Sequence, residues 1–127
     1  MASPEKLKFQ KSHEWTRVEG SIAYVGISDH AQEELGDIVF VEIPEVDDEF
    51  EAGEEVTNIE SVKAASPIYA PVSGKVVKVN QELEDAPELI NQKPYEAFIF
   101  AIEMTDPSEL DKLLSYEEYQ KSIEEEE

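Results

Sequence analysis

The chain has 127 residues, 40% of them hydrophobic, which suits one domain with a modest core and argues against wholesale disorder. Its 31 acidic residues against 10 basic ones give a formal net charge of -21, a surface that repels phosphate backbones and anionic membranes. There is no cysteine, so disulfide scaffolds, thiolate metal sites and cysteine nucleophiles are excluded.

The start, "MASPEKLKFQKSHEW", carries no secretory apolar segment, and no apolar run is long enough to span a bilayer. A cytoplasmic protein is expected, or a mitochondrial-matrix one for a processed eukaryotic form. "EWTRV" and "SIAYVGI" alternate apolar and polar positions around a reversal at Glu19-Gly20 and read as paired strands. In "SDHAQEELG", Asp29 followed by Gln32 predicts a capping box and Gly36 a left-handed C-cap, so a helix of two turns or less is expected. "DIVFVEIP" predicts a strand with Val39, Val41 and Ile43 on one face.

From residue 46 to residue 80 short strands recur between turn residues, as in a β-sandwich or barrel. Lys63 lies near the midpoint between Gly53 and Gly74, where a hairpin tip belongs. Pro67 and Pro71 cannot donate ladder hydrogen bonds, so the returning strand is expected at an edge or irregular. "QELEDAPELINQKPY" reads as a loop, and "EAFIFAIE" as a strand buried on both faces. In "DPSELDKLL", Asp106, Pro107 and Glu109 predict a capped helix, and Ser115 with Glu118 predicts another.

Three kinds of chemistry can be weighed. Ser12, His13 and Glu14 suggest a hydrolase, but neighbours in an extended segment face opposite ways and there is no G-x-S-x-G elbow. His13 and His30 have no metal-ligand spacing, so no metal site is expected. Lys63 has compact neighbours in Ser61, Val62, Ala64, Ala65 and Ser66, an acidic mark in Glu60, and no other lysine between Lys11 and Lys75. A turn lysine is ordinarily a solvated cation. An isolated amine on a rigid tip is also what an enzyme that modifies lysine needs.

"ESVKAAS" resembles the attachment motif of the glycine cleavage system H protein family. So do "SHEW", "VGISDHAQEELGDIVFVEIPEV", "YAPVSGKVVKVN", "LINQKPY" and "DPSEL", in the family's order from about Ser12 to Tyr119. Biotinyl domains usually flank their lysine with methionine; Val62 and Ala64 stand there, which points to lipoyl. The resemblance implies a mainly β barrel-sandwich hybrid, lipoyl/biotinyl-like, with a short internal helix and C-terminal helices. It implies a single domain over 1–127, with a core over about 12–105 and a helical extension over about 106–125.

It further implies lipoate in amide linkage to Lys63, with Glu60, Ser61, Val62 and Ala64 recognised at the attachment turn by a lipoyl/octanoyl transferase or ligase. Ser12, Glu14 and His30 would shield the arm in a cleft. The chain would be a non-catalytic, monomeric shuttle with no nucleic-acid or membrane partner. It would carry an aminomethyl group from glycine decarboxylase (P protein) to an aminomethyltransferase (T protein), and electrons to dihydrolipoamide dehydrogenase (L protein). The chain departs from the family pattern at Pro67, at Thr57-Asn58-Ile59 and at "EAFIF". Three alternatives stay open: a lipoate-relay or storage protein not competent in glycine cleavage, an unmodified acidic interaction module, and a hydrolase using Ser12 and His13.

Overall fold

The computed structural model describes residues 4–126. Among the described residues nine strands and four α-helices follow in order: β1 (Lys8–Phe9), β2 (Glu14–Glu19), β3 (Ile22–Ile27), α1 (Asp29–Leu35), β4 (Ile38–Val41), β5 (Glu49–Phe50), β6 (Glu55–Ser61), β7 (Ala65–Tyr69), β8 (Gly74–Val79), α2 (Glu82–Asp85), α3 (Leu89–Gln92), β9 (Phe100–Met104) and α4 (Tyr116–Glu126). Short 3-10 turns cover Pro4–Lys6 and Pro107–Lys112. Two antiparallel sheets result, one ordered β1-β2-β3-β9-β8-β5 and the other β4-β6-β7. The mainly β expectation holds.

Alternation on the strands drives the two sheets together. Val25, Ile59, Ile68, Val76 and Ile102 are fully or almost fully buried in one core, and each such side chain contributes about 1.5–3 kcal/mol relative to exposure. The central strand β9 lies between β3 and β8 with Phe100, Ala101 and Ile102 all at 0% exposure, as its weak alternation predicts. A second cluster of Leu7, Phe9, Trp15 and Tyr119 joins the N-terminal segment to α4. Packing on both sides explains why three consecutive residues at the start of β2 are buried.

β6 and β7 form the predicted hairpin, with Glu60 opposite Ala65 and Val62-Lys63-Ala64 at the tip. β7 is an edge strand, as its Pro67 requires, and Pro71 lies beyond its end. The β2–β3 turn falls on Gly20-Ser21, one residue later than expected, with Gly20 at φ 65.

Four local expectations are corrected. The N-cap of α1 is Ser28, whose hydroxyl accepts from the Ala31 amide, while Asp29 begins the helix and accepts from the Gln32 side chain. On β4, Ile38 and Val41 are buried and Val39 is exposed. The cause is a bulge: the register steps from Ile38 to Phe40 while β6 moves by one residue, so strict alternation is lost. The stretch read as a loop contains α2 and α3, single helical turns that bury Leu83 and Ile90. Glu109 does not close a capping box, because its carboxylate accepts from the Ser73 amide and hydroxyl at 2.7 and 2.8 Å. Ser115 and Glu118 do form the reciprocal box that starts α4.

Candidate functional site

The attachment turn is built by Ser61. Its hydroxyl accepts from the Lys63 and Ala64 amides at 3.2 and 3.1 Å, and its own amide donates to the Ala64 carbonyl at 2.7 Å. The Val62 amide donates to the Asp37 carbonyl at 3.0 Å, which ties the tip to the α1–β4 connection. With the Ser61 hydroxyl also placed 3.2 Å from the Ala64 carbonyl, backbone and side-chain hydrogen bonds hold a turn only three residues long. Lys63 is exposed, and among the described residues its amine makes no ion pair. Its stem passes over Gly36: a methyl group on that glycine would lie 3.8 Å from Lys63 Cε.

A cavity of about 250 Å³ opens beside the hairpin, between α1, the Ser12-His13 turn and the paired residues Ile59 and Ser66. Ile27, Ala31, Leu35, Ile59 and Ile68 give it an apolar floor. Ser12, His13, His30 and Glu34 supply polar groups, and the His30 Nε2 lies 3.4 Å from Glu34 Oε1. Lys63 is four positions along the chain from Ile59 and three from Ser66, at most roughly 10–13 Å at the strand rise. A flexible arm on the amine has that span to cover.

Of the residues predicted for a cleft, Ser12 and His30 line this cavity together. Glu14 does not. Its carboxylate lies beneath Ser12 at 0% exposure, accepting from the Ser12 hydroxyl, from Gln10 Nε2 at 3.1 Å and from the Tyr69 amide at 2.8 Å. Burial pushes its pKa up, and the hydrogen bonds from Ser12 and Tyr69 pull part of the way back. It acts on the cavity through Ser12.

His13 departs from the extended backbone expected for its segment. It sits instead at φ 81, a left-handed backbone that swings its ring to within 5.1 Å of His30 and places Nδ1 2.7 Å from the Tyr119 hydroxyl. With Ser12 donating to Glu14 and His13 set against Tyr119, the turn has a scaffolding geometry, which weighs against the hydrolase. Tyr119 also contacts Ser28 Oγ at 2.6 Å, so α4 braces both the cavity turn and the cap of α1. Pro67 stands in the cavity wall.

The model of the family described as glycine cleavage H-protein matches residues 7–126. The chain belongs to the glycine cleavage H-protein family. It is 55% identical over 124 residues to the glycine cleavage system H protein of Staphylococcus haemolyticus, covering 97% of this chain and 98% of that one. It is 60% identical over 122 residues to the corresponding protein of Vibrio campbellii, covering 94% and 97%. A solved glycine cleavage system H protein from Mycobacterium marinum superimposes with a TM-score of 0.87 at 33% identity, covering 96% of this chain and 99% of that one. The barrel-sandwich expectation for the two-sheet fold agrees with that neighbour.

Proposed function

We propose that this family member is a lipoyl carrier whose attachment point is Lys63, moving an aminomethyl group from glycine decarboxylase to a tetrahydrofolate-dependent aminomethyltransferase and electrons to dihydrolipoamide dehydrogenase. One observation carries the reading: an exposed amine with no ion pair among the described residues, on a hairpin tip pinned by Ser61 and the Asp37 carbonyl. Lipoate fits these residues, since its hydrocarbon chain matches the apolar floor formed by Ile27, Ile59 and Ile68. When bound, the group supplies a pair of sulfurs able to accept a one-carbon unit and two electrons.

Every other task falls to the chain. Ser61 fixes the turn, so a modifying enzyme orders little backbone on binding. The tether raises the effective concentration of the cargo at a partner's active site to about millimolar. Ser12, held by Glu14, and His30, beside Glu34, present polar groups where an amine-bearing cargo would lie. The acidic body speeds encounters with enzymes that carry basic patches. A cytoplasmic or mitochondrial-matrix setting, with a monomeric carrier and no catalytic step of its own, completes the proposal.

Intact-mass analysis after incubation with a lipoyl ligase tests it. The wild type should gain one lipoyl group and Lys63→Arg none; an unchanged wild-type mass would leave an unmodified acidic module. The modified protein should then support glycine-dependent carbon dioxide exchange by the decarboxylase. Lipoylation without exchange would favour the relay reading, for which Pro67 in the cavity wall is the relevant observation.

A further inference from the structure

The edge of the hairpin sheet beside Lys63 exposes apolar side chains that the fold does not cover. Among the described residues five large hydrophobic side chains are exposed, and three of them flank the attachment turn: Val39 at 52%, Phe40 at 50% and Val62 at 67%. Their grouping follows from the register. Phe40 is paired with Glu60 across β4 and β6, and Val62 follows the end of β6 at Ser61, where its amide donates to the Asp37 carbonyl just before β4. That bond holds Val62 against the start of β4, so one apolar surface can meet both Val62 and Phe40. The bulge adds Val39 by making two consecutive residues of β4 face outward. Three exposed carboxylates, Asp37, Glu42 and Glu60, rim the patch, and Lys63 stands at its end.

We propose that Val39, Phe40 and Val62 form the docking surface for the enzyme that acylates Lys63. The proposal rests on the reading of Lys63 given above. The partner's chemistry is set by complementarity: an apolar depression seats Phe40 and Val62, and lysine or arginine side chains around it meet Asp37, Glu42 and Glu60. Reach selects this partner over the others. An unmodified lysine offers only a four-carbon stem, so the acylating enzyme must press against the residues beside the turn. Enzymes met after modification reach a longer arm and need not cover this patch.

In the step itself, the neutral Lys63 nitrogen forms an amide bond to the acyl carbon of an activated donor such as an acyl-adenylate. AMP leaves with the electron pair of the broken acyl–phosphate bond, and the surplus proton of the nitrogen passes to a base of the enzyme or to solvent. The hydrophobic patch takes no part in the bond change; it holds the amine at the donor.

The test is a time course of lipoylation by intact mass, with purified ligase, ATP and lipoate, on wild type, Phe40→Ser, Val39→Thr and the control Val18→Ser, whose exposed side chain lies on β2 in the other sheet. Melting curves check that each variant is folded. kcat/KM should fall about tenfold or more in Phe40→Ser, less in Val39→Thr, and stay unchanged in Val18→Ser. Asp37→Asn with Glu42→Gln should raise KM several-fold and flatten its salt dependence. Wild-type kinetics in Phe40→Ser would overturn the docking surface while leaving Lys63 as the attachment point. A concentration-dependent dimer of the unmodified chain that Phe40→Ser abolishes would assign the patch to a second copy and overturn it equally. A wild type that gains no mass would overturn the Lys63 reading along with it.

Discussion

The phenol oxygen of Tyr119 lies 2.7 Å from Nδ1 of His13, joining the last helix to the turn that walls the cavity. The same oxygen is 2.6 Å from Ser28 Oγ, and the ring stacks on Phe9 at 4.5 Å between centroids. Tyr119→Phe keeps the stack and removes the hydroxyl from both contacts, so it should cost about 1–2 kcal/mol. Tyr119→Ala also empties the second cluster and should cost about 3–5 kcal/mol. Urea unfolding of the two variants checks the order; equal losses would mean that the ring adds nothing beyond the hydroxyl, and a Tyr119→Phe as stable as wild type would mean that the hydroxyl contributes nothing.

Trp15 is fully buried across from Gly26, and its indole nitrogen donates to the Pro94 carbonyl at 2.8 Å. A Cβ on Gly26 would sit 2.5 Å from the Trp15 ring, so the glycine is there to let the indole lie on the β3 backbone. Gly26→Ala should destabilise by about 1–3 kcal/mol through overpacking. It should also shift Trp15 fluorescence, because the ring has to tilt away. A variant with wild-type stability and emission would contradict this account.

The hairpin was legible in the sequence because turn residues bracket Lys63 at even spacing, a local pattern. What escaped was decided by distant partners. Glu14 looks like a solvated acid beside His13, yet its carboxylate is capped by the amide of Tyr69, 55 positions away. Glu109 has the right spacing for a capping box, but Ser73 competes for it from another part of the fold. The bulge at Val39 carries no glycine or proline to announce it. In α2 and α3 each helix is four residues, too short for a periodic pattern, and the prolines around them read as loop. The cavity needed α1, the Ser12-His13 turn and the hairpin together, so only its individual residues could be named beforehand.

Ser61→Ala removes the hydroxyl that accepts from two tip amides. Global stability should change by less than about 1 kcal/mol, because the turn is exposed and water replaces the lost bonds. Lipoylation of Lys63 should slow by about threefold to tenfold, since the modifying enzyme then has to order the turn itself. Ser61→Thr keeps the hydroxyl and should recover most of the rate. Equal rates in Ser61→Ala and wild type would show that the turn needs no such support.

Glu14 makes stability depend on pH in a direction unusual for a carboxylate. Burial raises its folded pKa above the ordinary 4.5, so the folded chain holds the proton more firmly than the unfolded one. The stabilisation is fully present below 4.5 and is lost as pH rises through the folded pKa. Relative to Glu14→Gln, which does not titrate, the wild type should therefore lose stability as pH climbs through that window. Carbon-13 NMR of the Glu14 carboxyl should show a midpoint above 4.5. A midpoint at or below that value would end this explanation.

Glu118 behaves in the opposite sense, and α4 should respond to it. The Ser115 backbone amide, and then the Ser115 hydroxyl, holds its carboxyl below the ordinary value. A depressed folded pKa contributes stability above the unfolded value of 4.5 that is lost as pH falls through the folded one. Acidification should thus loosen the first turn of α4, where Tyr119 follows directly on Glu118. Amide exchange over Tyr116–Tyr119 should quicken as pH drops through that range, once corrected for intrinsic rates. Glu118→Ala should show the faster exchange already at neutral pH, with little further change on acidification. An α4 that exchanges alike in wild type and variant at neutral pH would mean the capping box does not hold the helix, and Tyr119 is fixed by its own packing alone.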